Sequence, residues 1–255
     1  MLQAVPLEGL PEFTTGADLG AAITHALSNA DDAQAQQLRA GDILVVAHKV
    51  VSKAEGRVRS LADVEPGEYA IELARAGGRD PRLVQVVLEE TREIVRASPG
   101  VIVCETHHGF VCANAGVDQS NVPGDDTVLM LPRDPDASAR AIRARLRELT
   151  GVAPGIVVTD SFGRAWRTGQ SDIAIGLAGV AALDDWRGRA DTNGREMRAT
   201  VIAVADLMAG AADLARRKDA SQPVVLIRGA ERYATVDDGP GIRPLLRDRS
   251  QDLFR

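Results

Sequence analysis

The chain has 255 residues, 45% of them hydrophobic and 26% charged, with a formal charge of −6 and only 3% aromatic side chains. That length suits one domain, with room for two interleaved subdomains sharing a core. The acidic balance and the scarcity of aromatic platforms argue against a nucleic-acid partner, since phosphate neutralisation needs a basic surface and single strands stack on rings.

The segment Met1–Phe13 lacks a basic stretch followed by an apolar run, so no signal peptide is expected there. Leu19, Ile23 and Leu27 recur at helical spacing and predict a first helix. Ile43 to Val46 reads as a buried strand that runs on into the charged stretch from Lys49 to Lys53. Asp80 and Pro81 open a predicted helix whose inner stripe continues through Ile94 and Val95 to a stop at Pro99-Gly100. Val101–Cys104 and Phe110–Ala113 predict two strands joined by a turn at His107-His108-Gly109.

Val128–Leu131 predicts a short strand. Asp134-Pro135 caps a helix with Ile142, Leu146 and Leu149 inside and Arg140, Arg143, Arg145 and Arg147 mostly outside. Gly155–Thr159 is a further buried strand, Val201–Leu214 a strand-to-helix passage and Val224–Ile227 a last strand. Strands and helices without regular βαβ alternation predict an α+β (mixed α/β) fold. Cys104 and Cys112 lack the spacing of a zinc site and predict buried thiols in a reducing compartment. No stretch approaches the ~20 apolar residues of a membrane span, so a cytoplasmic protein with no membrane partner is expected.

Three segments break the ordinary pattern. Lys49-Val-Val-Ser-Lys53-Ala-Glu-Gly-Arg57 gathers cations that can hold phosphate oxygens, although a solvated strand end would look the same and the Walker A spacing is absent. Asn114-Ala-Gly-Val-Asp118-Gln-Ser-Asn121 can offer oxygens to a hard cation, yet it is also ordinary turn chemistry. Asp160-Ser161 ends a buried strand as a ligand pair for Mg²⁺ or Mn²⁺, followed by Arg164 and Arg167, which suit anionic substrate groups. A capped helix start with a surface Arg pair is the alternative for that third segment. His107 and His108 read as surface turn residues, whereas His48 adjoins the lysine cluster. By spacing alone these features describe a divalent-metal phosphate site. They do not say whether phosphate is transferred, hydrolysed or held.

At these segments, and at Pro6–Phe13, Leu131–Ser138, Ala203–Asp206 and Val224–Gly229, the chain resembles the coenzyme F-420-0:L-glutamate ligase (gamma-glutamyl ligase) family over nearly its whole length. The resemblance implies that family's own fold, in an intertwined homodimer, and a stand-alone form without a C-terminal nitroreductase-like domain. It implies GTP as co-substrate bound by Leu10, Pro11, Glu12, Phe13, His48, Lys53 and Asn121. It further implies Mg²⁺ or Mn²⁺, with K⁺ as an additional ion, and metal ligands Asp118, Asp160 and Ser161. Lys53 and Asp160 would be catalytic, with coenzyme F-420-0 and L-glutamate as substrates joined through an acyl phosphate. Near Arg216-Arg217-Lys218 many relatives carry Gly-Gln and use the Gln on metal, a role that a cationic Arg217 cannot fill. A nucleotide- and metal-binding sensor and a metal-dependent phosphohydrolase are the alternative functions for such a site.

Overall fold

A computed structural model describes residues 1–29, 37–120, 122, 124 and 126–254. The main sheet has the order β1 (Gln3–Pro6), β10 (Val224–Arg228), β2 (Ile43–Ala47), β8 (Gly155–Arg164) and β9 (Arg167–Ala178). Only β2 and β8 run parallel; the other neighbours are antiparallel. The central strands are continuous apolar runs buried at successive positions, as strands covered on both faces must be. Helices α1 (Leu19–Ser28), α5 (Pro135–Thr150) and α6 (Val204–Ala215) provide that cover together with α2 (His48–Ala54), and their inner residues join one core with the sheet. The result is the expected α+β arrangement.

A second apolar cluster gathers α3 (Glu68–Gly77), α4 (Pro81–Glu89), the antiparallel sheet β4 (Thr91–Ser98), β5 (Val101–Thr106) and β6 (Val111–Ala113), and the pair β3 (Val58–Ser60) with β7 (Thr127–Leu129). Cys104 lies in this cluster and Cys112 in the main one; both thiols are free and buried. Among the described residues no helix is long and apolar enough to cross a membrane.

Edge strand β9 is tied down by carboxylates from the first turns of two helices. The Ala174 amide donates to Asp206 Oδ1 at 3.0 Å and the Leu177 amide to Asp136 Oδ1 at 2.8 Å. Strand edges with unpaired amides invite foreign pairing, and these two bonds close part of that edge.

Several local expectations need correction. The stretch Lys49–Lys53 is not a strand end but lies on α2, which starts directly after β2. The helix opened by Asp80 and Pro81 stops at Glu89, and Ile94 and Val95 belong to β4, which pairs antiparallel with β5 through two register shifts. Arg143 points inward, giving its guanidinium to the carbonyls of Pro154, Thr235 and Val236 and to Asp238, while Leu149 is exposed. In each case long-range pairing outweighs a local pattern that is compatible with two outcomes.

Candidate functional site

Parallel pairing of β2 with β8 sets the site. Ala47 lies opposite Thr159, so the residues that follow, His48 just past the end of β2 and Asp160 within β8, stand side by side where the parallel pairing ends, near the usual place for ligands in such sheets. His48 Nε2 approaches Asp160 Oδ1 to 3.2 Å, and its Nδ1 lies 3.3 Å from Ser52 Oγ. Asp160 Oδ1 also accepts the Ser161 amide at 2.7 Å. The strand does not end at Asp160; β8 continues to Arg164 and returns as β9, so no helix starts there.

Asp118 reaches the same helix start from the second cluster. Lys49 Nζ sits 2.6 Å from Asp118 Oδ2, and Ser120 gives that carboxylate both its amide and its hydroxyl at 2.8 Å. Burial alone would raise the Asp118 pKa. The hydrogen bonds from Lys49 and Ser120 outweigh it and hold the carboxyl below its ordinary value, hence anionic. The approach to Asp118 is a tight left-handed passage, with φ of 53° at Asn114, 52° at Ala115 and 72° at Gly116. Asn114 Oδ1 anchors it by accepting from Arg79 at 2.9 Å and from the Ile102 amide at 3.2 Å.

Lys53, one turn further along α2, is buried and ion-paired with Glu12. Of the remaining residues expected at a nucleotide, Phe13 is buried in the main core, Leu10 packs against it, and Pro11 is exposed. Asn121 lies outside the described residues. The structure therefore brings His48 to Asp160, Lys49 to Asp118 and Lys53 to Glu12 around a single short helix. Arg164 and Arg167 are not brought in. They face each other at the exposed hairpin tip, four residues or roughly 13 Å along the strand from Asp160. His108 and His107 bond backbone carbonyls, of Pro132 and Arg133 and of Glu89 respectively, and stay in the turn.

Beyond these, Asp172 on β9 is a site residue that spacing alone overlooks. It lies directly across from Ser161, is 2% exposed and collects Thr159, Ser161, Arg216 and Lys218. The available signal was a carboxylate two positions before Ala174, on the inward side of an apolar strand. Of the three consecutive cations, Arg217 is the one that turns to solvent, pairing with Asp219 at 3.0 Å; Arg216 and Lys218 turn in. Burial lowers the Arg216 pKa to about 10 against the opposing pull of Asp160, and burial together with the Asp160 charge pushes the Cys112 thiol up to about 12.

Among the described residues no three His, Cys, Asp or Glu side chains stand together at ligand spacing. The donors that the sequence offers to a metal, the Asp118 and Asp160 carboxylates and the Ser161 hydroxyl, are all oxygens. That set fits Mg²⁺ or Mn²⁺, which keep waters and take one or two protein carboxylates, and it does not fit zinc.

Comparison with known sequences adds a family. The profile of the family described as F420-0:Gamma-glutamyl ligase matches residues 9–229. A protein of Methanopyrus kandleri named Coenzyme F420:L-glutamate ligase is 47% identical over 225 residues, covering 88% of this chain and 89% of its own. Proteins of the same name are 42% identical in Methanothermobacter thermautotrophicus, over 100% of this chain and 99% of the relative, and 39% identical in Haloarcula marismortui, over 100% and 96%.

Proposed function

The chain belongs to the F420-0:gamma-glutamyl ligase family, and from that premise we propose that it joins L-glutamate to coenzyme F-420-0 at the expense of GTP. Family membership makes it a ligase that forms carbon–nitrogen bonds in the biosynthesis of this coenzyme. The observation that carries the finer reading is that α2 pairs His48 with Asp160, Lys49 with Asp118 and Lys53 with Glu12 along its length.

A carboxylate is a poor acylating agent at neutral pH. Transfer of the γ-phosphoryl group of GTP to the coenzyme's carboxylate makes an acyl phosphate, and the amine of L-glutamate then attacks that carbonyl and expels phosphate. Lys53, already desolvated, stabilises the charge that moves in the first step. Lys49 and the Ser120 amide keep Asp118 anionic, and His48 packs beside Asp160. Asp118, Asp160 and Ser161 would hold a divalent cation, which when bound would supply charge neutralisation on the phosphates. Arg164 and Arg167, exposed on the hairpin tip, are available to anionic groups of the coenzyme's outer part. Further glutamyl additions use the same chemistry.

A homodimer belongs to this reading. Leu207 and Leu214, seven residues apart on α6, are 63% and 91% exposed, an apolar stripe that a second copy can cover; light scattering in solution tests it.

The deciding experiment measures phosphate release from GTP with Mn²⁺ or Mg²⁺, with and without L-glutamate and the glutamate-free coenzyme, and weighs the products. Release that needs both substrates, with a mass gain of one or more glutamyl units, is expected. Release without them points to a phosphohydrolase, and nucleotide binding without turnover to a sensor.

A further inference from the structure

We propose that Asp172 is a positioning residue of this site, setting the direction of the Ser161 hydroxyl and selecting which neighbouring cations face it. The proposal rests on the reading of Asp160 and Ser161 as ligand-facing groups. Asp172 Oδ1 accepts Ser161 Oγ at 2.6 Å and Lys218 Nζ at 3.2 Å. Its Oδ2 accepts Thr159 Oγ1 at 3.2 Å and the Arg216 guanidinium. A carboxylate has about four acceptor positions, and all four are used. A buried carboxylate is tolerated only when paired and hydrogen-bonded in this way.

Two consequences follow from that saturation. Ser161 has one hydroxyl proton and spends it on Asp172, so only lone pairs remain for Lys218, 3.0 Å away, and for a hard cation. Arg216 and Lys218 are drawn inward while Arg217 between them turns out, because the inner carboxylate accepts from both flanking residues. Lys218 is also held by Asp213 at 2.7 Å, which fixes an ammonium charge at the rim of the site with its side chain 65% exposed. Asp172 therefore shapes the site without facing the ligand itself.

A merely structural role, balancing Arg216, predicts something different, and two variants separate them. In Asp172→Asn the side-chain oxygen stays with Arg216 and the amide nitrogen faces Ser161, reversing that hydrogen bond and sending the hydroxyl proton toward the ligand side. Asp172→Leu/Arg216→Met removes the buried pair together, leaving neither an orphaned charge nor an acceptor for the Ser161 hydroxyl, and is expected to restore a stable fold. Mn²⁺ binding to the full chain is read by the electron-paramagnetic signal of the free ion, without GTP or substrates. Alongside it run thermal melts and steady-state kinetics.

Both variants are expected to bind Mn²⁺ about 10- to 100-fold more weakly than the wild type, the scale for losing a partner that orients a ligand. Turnover should drop with little change in the KM for glutamate, and the double variant should recover the melting temperature but not the Mn²⁺ affinity. Wild-type Mn²⁺ affinity in either folded variant, or recovery of affinity together with stability in the double variant, overturns the proposal. A wild type that binds Mn²⁺ but shows no glutamate-dependent turnover sinks the ligase reading instead, and the binding comparison still decides the role of Asp172.

Discussion

His48 Nε2 lies 3.2 Å from Asp160 Oδ1, with the imidazole only 2% exposed. The contact exists because β2 and β8 run parallel with Ala47 opposite Thr159, so the residue that follows each stands at the same level. A ring so enclosed contributes to packing as well as to polarity. His48→Ala should therefore lower the unfolding free energy by ~1–3 kcal/mol and weaken GTP binding, whereas His48→Gln should retain most of the stability. Urea denaturation and calorimetric titration with GTP check both halves.

Asp160→Ala should reduce glutamate-dependent GTP turnover ~10²-fold or more, the scale of losing one preorganised electrostatic contact. Asp118→Ala should behave alike. Near-normal rates in Asp160→Ala would show that the site lies elsewhere.

Lys53 and Glu12 form an ion pair of unequal members, with side-chain exposures of 10% and 68%. The exposed partner contributes little to folding, so Glu12→Gln should change the unfolding free energy by no more than ~1 kcal/mol. Lys53→Ala should abolish most turnover while the fold persists, and Lys53→Arg should rescue it poorly, because a planar guanidinium does not reproduce a point charge. Melting curves and phosphate release read the two effects separately.

Gly116 precedes Asp118 by two residues, at φ 72°, and a Cβ placed there would meet Leu131 Cγ at 2.6 Å. Gly116→Ala adds a left-handed penalty of roughly 1–2 kcal/mol to an overpacking penalty of about 1–3 kcal/mol. The variant should be destabilised and should also lose turnover in its folded fraction, since Asp118 hangs on this passage. Normal activity per folded molecule would separate the passage from the site.

Asp136 carries a raised pKa because burial outweighs the amides of Leu177 and Ile242. The folded state thus holds this proton more tightly than the unfolded chain. Its contribution to stability is complete below the ordinary value of 3.8 and is lost as pH rises through the higher folded value. Both amides bond Oδ1, at 2.8 and 3.0 Å, which an Asn oxygen can replace. Asp136→Asn should therefore be as stable as the wild type at acid pH and more stable at neutral pH, as denaturation midpoints at the two pH values will show.

Much of this was legible before any coordinates. Apolar runs such as Ile43–Val46 and Val224–Ile227 permit only burial, and Asp134-Pro135 is a helix start whose carboxylate does cap, at 2.9 Å from the Ala137 amide. The helix called for at Ile94 and Val95 failed because a short apolar stripe suits a strand equally well, and only pairing with β5 decides between them.

The sequence by itself determined the α+β class, the buried strands, the caps and the family, since these follow from local periodicity, side-chain chemistry and the order of long motifs. Tertiary structure alone decided that Ser161 faces Asp172, eleven residues away, that Arg216 and Lys218 rather than Arg217 turn inward, and that Lys53 meets Glu12. Those contacts depend on strand register and on which buried charge must be neutralised, and neither is encoded in the spacing of neighbouring residues.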